Sequence, residues 1–351
     1  MALASTPDAG FWPAISAHRK LTSEEAWRFR AATQRLAAMT SPALADWLLS
    51  SPVDAGGALI SSEDVHRSRL LNRFTRTQGL RWLAAVEESG IEVVCLKGMA
   101  AGSLIYPNPD LRGMSDVDLL VRARDLKALV TALAAKGFVF KKALGTPSWG
   151  HIGDAGFHPF VAPGGAFSFD LHVQPDDYPI HRGLSVEQVF AEAQMVMVDS
   201  QTIRVPSGAH FLLMAMANAA RDKLGPVAMK SVVDAFVYLA RTGGDPGWPI
   251  ILAAAKKGRF ERTMRGVVAC LAGLGVPAER LPADAGSLSA MVQAEAARSA
   301  AGLTDCFSVE PNKLALQRRE FLLLAPPHVI AWRYGRRLRG LFKPWPGVPA
   351  F

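Results

Sequence analysis

Ser115-Asp116-Val117-Asp118-Leu119-Leu120-Val121, following Leu96-Lys97-Gly98, decides how this chain reads. Two carboxylates one residue apart head an apolar run. On a β-strand alternate side chains share a face, so Asp116 and Asp118 are predicted to point the same way. Left alone the pair is costly, because like charges repel while the Leu-Leu-Val beside them favours burial. A divalent cation removes the conflict. Paired aspartates at a strand edge suit Mg²⁺, or Mn²⁺, which takes hard oxygen ligands and keeps substrate phosphates as further ones.

Working outward, Ile91–Leu96 is short, β-branched and apolar, and reads as a buried strand that Lys97-Gly98 ends. Residues 99–106 read as a short helix, broken by Pro107 and Pro109. Residues 125–136 carry Leu126, Leu129, Val130 and Leu133 at helical spacing, with Gly137 as the stop. Residues 138–140 read as a third strand. Residues 157–162 and 166–173 flank Pro163-Gly164-Gly165 as an antiparallel hairpin. Strands alternating with helices, then a hairpin, predict a mixed sheet.

A third carboxylate lies on that hairpin. In Phe167-Ser168-Phe169-Asp170-Leu171-His172-Val173 the period of two puts Asp170 and His172 on one face. If this strand lies beside 116–121, then Asp116, Asp118 and Asp170 converge and can hold one or two metal ions for phosphoryl or nucleotidyl transfer. Gly98, at a strand-to-helix junction, would let backbone N–H groups approach a phosphate. Lys97 and Arg112 add cations, Arg112 either on a phosphate or on the acidic cluster, and Ser115 adjoins the pair. The plainer readings are a solvated Lys97, a turn glycine at 98 and a packing histidine at 172.

The flanks read as helix. Thr22-x-x-Glu25 and Ser61-x-x-Asp64 open helices, the second with Leu71, Phe74, Trp82, Leu83 and Val86 on one face and Gly90 as its end. From Ser185-x-x-Gln188 onward the pattern is helical, with helices expected near 207–221, 227–241, 259–274, 287–300 and 312–324. This gives an α+β (mixed α/β) fold: a small mixed sheet flanked by N-terminal helices and a C-terminal helical domain. The domains divide as 1–88, 89–200 and 201–351.

These residues resemble a family. Leu96-Lys97-Gly98, Tyr106-Pro107, Arg112, Asp116-Val117-Asp118-Leu119-Leu120-Val121 and Asp170-Leu171-His172, in that order, resemble the uncharacterised bacterial nucleotidyltransferase-like family of the DNA polymerase beta-type superfamily. The likeness spans roughly 90–240. It implies a metal-binding carboxylate triad of Asp116, Asp118 and Asp170, and a helical half closing over a nucleotide. The chain departs from the superfamily in having Lys97-Gly98 where Gly-Ser is usual. It also has Asn218 where a histidine is expected, His210 lying earlier. The helical aspartate would be Asp234, which with Lys230 otherwise reads as a surface i,i+4 pair. The activity implied is Mg²⁺-dependent transfer of a nucleoside monophosphate, AMP from ATP or its equivalent from another NTP, to an acceptor hydroxyl, phosphate or amine. Asp116, Asp118 and Asp170 would be catalytic; Lys97, Gly98, Arg112 and Ser115 would hold the nucleotide, with Lys223 and Lys230 as further triphosphate contacts. The acceptor, a small molecule or a peptide or protein, is not legible. Alternatives are an inactive nucleotide-binding or scaffold protein of a biosynthetic pathway, or an enzyme modifying RNA or protein.

Composition narrows the setting. Of the net charge of +8, five positive charges (Arg333, Arg336, Arg337, Arg339, Lys343) lie in an acid-free tail. That tail reads as a solvated helix face, or as a contact for an anionic membrane or, less favoured, a nucleic acid. Three cysteines without CxxC spacing argue against zinc and a disulfide framework. No run approaches the ~18 apolar residues of a membrane span, and the N-terminus shows no signal peptide, so a cytoplasmic location is expected. His151 and His158, on a Gly-rich stretch, could border the site.

Overall fold

The structure, a computed structural model, describes residues 11–16, 21–49, 59–141, 157, 159–283, 288–308 and 311–340. His151, His158 and the tail from 341, with Lys343, lie outside the described residues.

Three helices come first: α1 (Phe11–Ser16), α2 (Ser23–Met39) and α3 (Pro42–Leu48). The capping box at the start of α2 is present: Thr22 Oγ1 accepts from the Glu25 N–H and the Glu25 carboxylate accepts from the Thr22 N–H. A long helix, α4 (Ser62–Glu87), starts at Ser61, whose hydroxyl accepts from the Asp64 N–H. Leu80, Leu83 and Val86 of α4 are buried, but Leu71 and Phe74 are 61% and 47% exposed. The single buried face expected through them holds only at the C-terminal half. There α4 runs close to the sheet, and Gly79 permits it: a Cβ at 79 would come within 2.9 Å of Val117.

Strand β1 (Val93–Cys95) leads into α5 (Lys97–Leu104), then β2 (Val117–Val121), α6 (Leu126–Ala135), β3 (Val139–Phe140), β4 (Phe160–Val161) and β5 (Ser168–His172). The sheet order is β1-β2-β5-β4-β3. β2 is antiparallel to β1 and parallel to β5, and β5-β4-β3 are antiparallel, so the sheet is mixed as expected. Every residue of β2 is buried, since it lies between two neighbours with both faces covered.

After two short helices, α7 (Ile180–Gly183) and α8 (Val186–Ala191), comes a feature that the sequence reading missed. β6 (Gln194–Val198) and β7 (Gln201–Val205) form an antiparallel hairpin where continuous helix was expected. The two-residue loop Asp199-Ser200, with Asp199 at φ 54°, and the alternation Val196/Val198 are the signals that could have found it. Helices then follow: α9 (Gly208–Arg221), α10 (Met229–Arg241), α11 (Trp248–Gly258), α12 (Glu261–Gly273), α13 (Ala290–Thr304), α14 (Lys313–Arg319) and α15 (Pro327–Gly340). α11 was not anticipated. The expected helix at 312–324 is α14 plus a π-helical turn, Glu320–Leu324.

The core is continuous from end to end. Trp12 on α1 packs edge-on against Phe236 on α10, and its indole N–H donates to the Leu303 carbonyl at 3.1 Å. All three cysteines are buried and free, and burial pushes each thiol up to about 12, which leaves them unreactive. The basic tail is partly engaged: Arg333 donates to Glu320, and Trp332 packs on Tyr178 with ring centroids 4.9 Å apart. No helix among the described residues is long and apolar enough to cross a membrane.

Candidate active site

The parallel pairing of β2 with β5 sets Asp118 opposite Asp170 and Leu120 opposite His172. Strand periodicity then turns Asp118, Asp170 and His172 to one face of the sheet. One ligand atom from each of the three lies within 4.8 Å of the others. Asp116, just before β2, is outside this group of three, but its charge reaches Asp170. The Ser115 hydroxyl donates to Asp116 Oδ1 at 3.3 Å.

Asp118 is the hub. Its Oδ1 takes Lys97 Nζ at 2.5 Å and His172 Nε2 at 2.9 Å. Burial alone would raise its pKa, but the Lys97 charge and the His172 hydrogen bond outweigh this and hold the carboxyl well below the usual range. Lys97 reaches it from a left-handed backbone, φ 43°, uncommon for a side-chain-bearing residue and characteristic of strained functional positions. Asp170 is the opposite case. Burial pushes it up to about 6, and the Asp118 and Asp116 charges add to this. Its Oδ1 is buried with no hydrogen-bond partner among the described residues. Asp116 is also raised, by burial first and Asp118 second.

Two carboxylates of opposite displacement, an orphaned oxygen on one and a histidine on the other fit a divalent cation. Asp118 and Asp170 are the oxygen donors. His172, hydrogen-bonded to Asp118, would orient it, as ligand-supporting groups commonly do.

Gly98 lies at the first turn of α5, whose N-terminus has no side-chain cap. A Cβ at 98 would come within 2.5 Å of Met114 Cγ, so glycine lets the 113–115 loop close over the start of α5. Free N–H groups there are disposed for an anion.

Arg112 is a correction. Its guanidinium forks onto Asp234, Nε to Oδ1 at 2.9 Å and Nη2 to Oδ2 at 2.8 Å, and the Tyr106 hydroxyl donates to the same Oδ1 at 2.8 Å. Arg112 and Asp234 are both buried. A buried arginine needs its charge matched, and the planar fork of a carboxylate does so better than a solvated phosphate could here. The surface pair expected between Lys230 and Asp234 is overturned by the same contact. Lys223 is also committed, to Glu320 at 2.7 Å, rather than free for a triphosphate.

Asn218 is buried, and its Oδ1 has no hydrogen-bond partner among the described residues. His210 lies 3.5 Å from Glu192, and burial pulls its pKa down. Neither belongs to the cluster of three. Sequence reasoning missed Asp176 and Arg221, paired at 2.8 Å with both charges felt by Lys97. Nothing in the spacing of Asp176 from Asp170 marked it.

The family described as "uncharacterised nucleotidyltransferase" matches residues 58–274. A solved structure, described as an antigenic nucleotidyltransferase-like protein from Paracoccidioides brasiliensis, is similar at 17% identity, over 53% of this chain and 86% of that chain, with a TM-score of 0.32. No curated protein matches.

Proposed function

This chain belongs to the uncharacterised nucleotidyltransferase family, and on that premise we propose that it is a metal-dependent enzyme that moves a nucleoside monophosphate, AMP from ATP, to an acceptor. Residues 89–200 would be the catalytic unit. The observation that carries this reading is the assembly of Asp118, Asp170 and His172, with the Asp170 oxygen left unpaired. Asp118 and Asp170, with Asp116 beside them, would hold Mg²⁺ or Mn²⁺. Bound there, the ion would neutralise the triphosphate and stabilise the entering and leaving oxygens.

The chain's own residues do the rest. The uncapped first turn of α5, at Gly98, would receive phosphate oxygens through its N–H groups. Lys97 would supply positive charge to the same space. The acceptor's oxygen or nitrogen would attack the α-phosphorus, the bond from that phosphorus to the bridging oxygen would break, and pyrophosphate would leave. Asp170 would complete the ion's ligands on the acceptor side and take the acceptor's proton. His172 holds Asp118 in position through the 2.9 Å hydrogen bond.

The test is transfer of label from α-labelled ATP, with pyrophosphate release, across a panel of hydroxyl, phosphate and amine acceptors. Asp118→Asn should abolish it while the fold survives. Full activity in the Asp116→Asn/Asp118→Asn double variant would rule the mechanism out. One observation favours a second reading, nucleotide binding without turnover: Lys97 already occupies Asp118 Oδ1 as an internal cation. Calorimetric ATP binding with no pyrophosphate released by the wild type would select it.

A further inference from the structure

A cavity of about 800 Å³ includes in its wall Ser115, the chain neighbour of Asp116. Arg30 and Ala38 of α2, Leu71 of α4, Met114 of the closing loop and Lys230 of α10 contribute the rest of what matters here. A smaller cavity of about 260 Å³ lies between the end of α4, β1 and the β6-β7 hairpin.

Three properties of the larger cavity point to a ligand. Its volume suits a small organic molecule. Its lining is mixed, apolar at Leu71 and Met114 but cationic at Arg30 and Lys230. Neither of those cations forms an ion pair with another described residue. The acid on its wall, Asp64, already accepts the Ser61 hydroxyl at 2.6 Å. Lys230 is also close enough to Asp116 for each charge to be felt by the other. Ser115 and Lys230 thus bring the cavity wall near Asp116, and Arg30 adds a second cation to it.

The origin of its walls says which substrate it takes. The family match begins at residue 58, so α2, with Arg30 and Ala38, lies outside it. A nucleotide is common to nucleotidyltransferases, whereas a wall from outside the shared span belongs to what distinguishes this chain. We infer that this cavity is the acceptor site, and that the acceptor is a small molecule bearing a carboxylate or phosphate on an apolar body, its anionic group held by Arg30 and Lys230. This rests on the transferase reading above. It sets the acceptor against α2 and α4, with Lys230 of α10 reaching it from the other side.

The test uses the full chain and two probes, phenyl phosphate and benzoate, titrated calorimetrically with and without saturating Mg-ATP. At least one probe should bind, and Mg-ATP should not displace it. Arg30→Gln should weaken that probe at least fivefold and Ala38→Trp should abolish its binding, while Mg-ATP affinity stays within twofold. Urea midpoints confirm that both variants fold, as expected for half-buried and exposed positions. If neither probe binds, if Mg-ATP competes, if the variants leave probe binding unchanged, or if Arg30→Gln weakens Mg-ATP equally, the inference is overturned. Failure of the transferase reading would look different: the wild type would release no pyrophosphate from Mg-ATP with any acceptor, while the losses in Arg30→Gln and Ala38→Trp, read with the probes alone, would still decide whether the cavity holds an anion.

Discussion

Asp170→Asn should make the metal-free protein more stable at neutral pH, although it destroys the metal site. The carboxyl is pushed from its ordinary 3.8 up to about 6, by burial first and by the Asp118 and Asp116 charges after it. A raised carboxyl holds its proton more tightly folded than unfolded. Its contribution to stability is therefore full below about pH 4 and is lost as pH climbs through 6. The interval from 3.8 to about 6 converts to about 3 kcal/mol. Part of the carboxyl remains open to water, and screening reduces this to about 1–2 kcal/mol. For 351 residues that is about 2 °C in Tm. The assay is urea unfolding in EDTA at pH 4 and pH 8, for wild type and variant. The variant should be more stable at pH 8, with the gap closed at pH 4. Adding Mg²⁺ or Mn²⁺ should raise the wild-type midpoint at pH 8 and leave the variant unmoved. Equal stabilities at pH 8 in EDTA, or a gap of the same size at pH 4, would refute the account of Asp170 as a carboxylate strained by its neighbours.

Other perturbations follow from the same contacts. Arg112→Ala leaves Asp234 buried without its counter-charge, hydrogen-bonded by the Tyr106 hydroxyl, and should cost about 3–5 kcal/mol in urea unfolding; because the Arg112 guanidinium is spent on Asp234 and the Gly113 carbonyl, the Mg-ATP affinity of the folded fraction should hold, and a selective loss of affinity without destabilisation would return Arg112 to the nucleotide site. Asp118→Asn removes the partner of both Lys97 and His172, so label transfer should fall at least 10³-fold, in the range seen when a charge-stabilising group is lost; a loss under tenfold would count against its role. Glu320→Gln loosens Lys223 and Arg333 together and should lower stability by about 1–3 kcal/mol, measured by thermal melting, with an unchanged Tm arguing that these ties are surface contacts only. Single-stranded RNA should bind weakly at physiological salt, since Arg333 of the tail is already taken by Glu320; tight binding with a steep loss on adding salt would revive the RNA-modifying reading.

The sequence by itself determined the local pieces. The apolar run headed by Asp116 and Asp118 and the period of two at Ser168–His172 placed both strands, and which side chains share a face follows from the extended backbone alone. The capping boxes at Thr22/Glu25 and Ser185/Gln188 placed helix starts, because a cap reaches only three residues. Tertiary structure decided everything that joins distant segments. The parallel register that sets Asp118 against Asp170 depends on how whole strands bury their faces, and a slip of one residue would have turned the carboxylates apart. Arg112 found Asp234, 122 positions away, because two buried charges must pair, yet nothing near either residue foretells burial. Arg221 with Asp176, Lys97 on Asp118, and a cavity walled by α2, α4, the 113–115 loop and α10 are of the same kind. Composition and spacing carry the chemistry each residue can do, while proximity is settled only when the core closes.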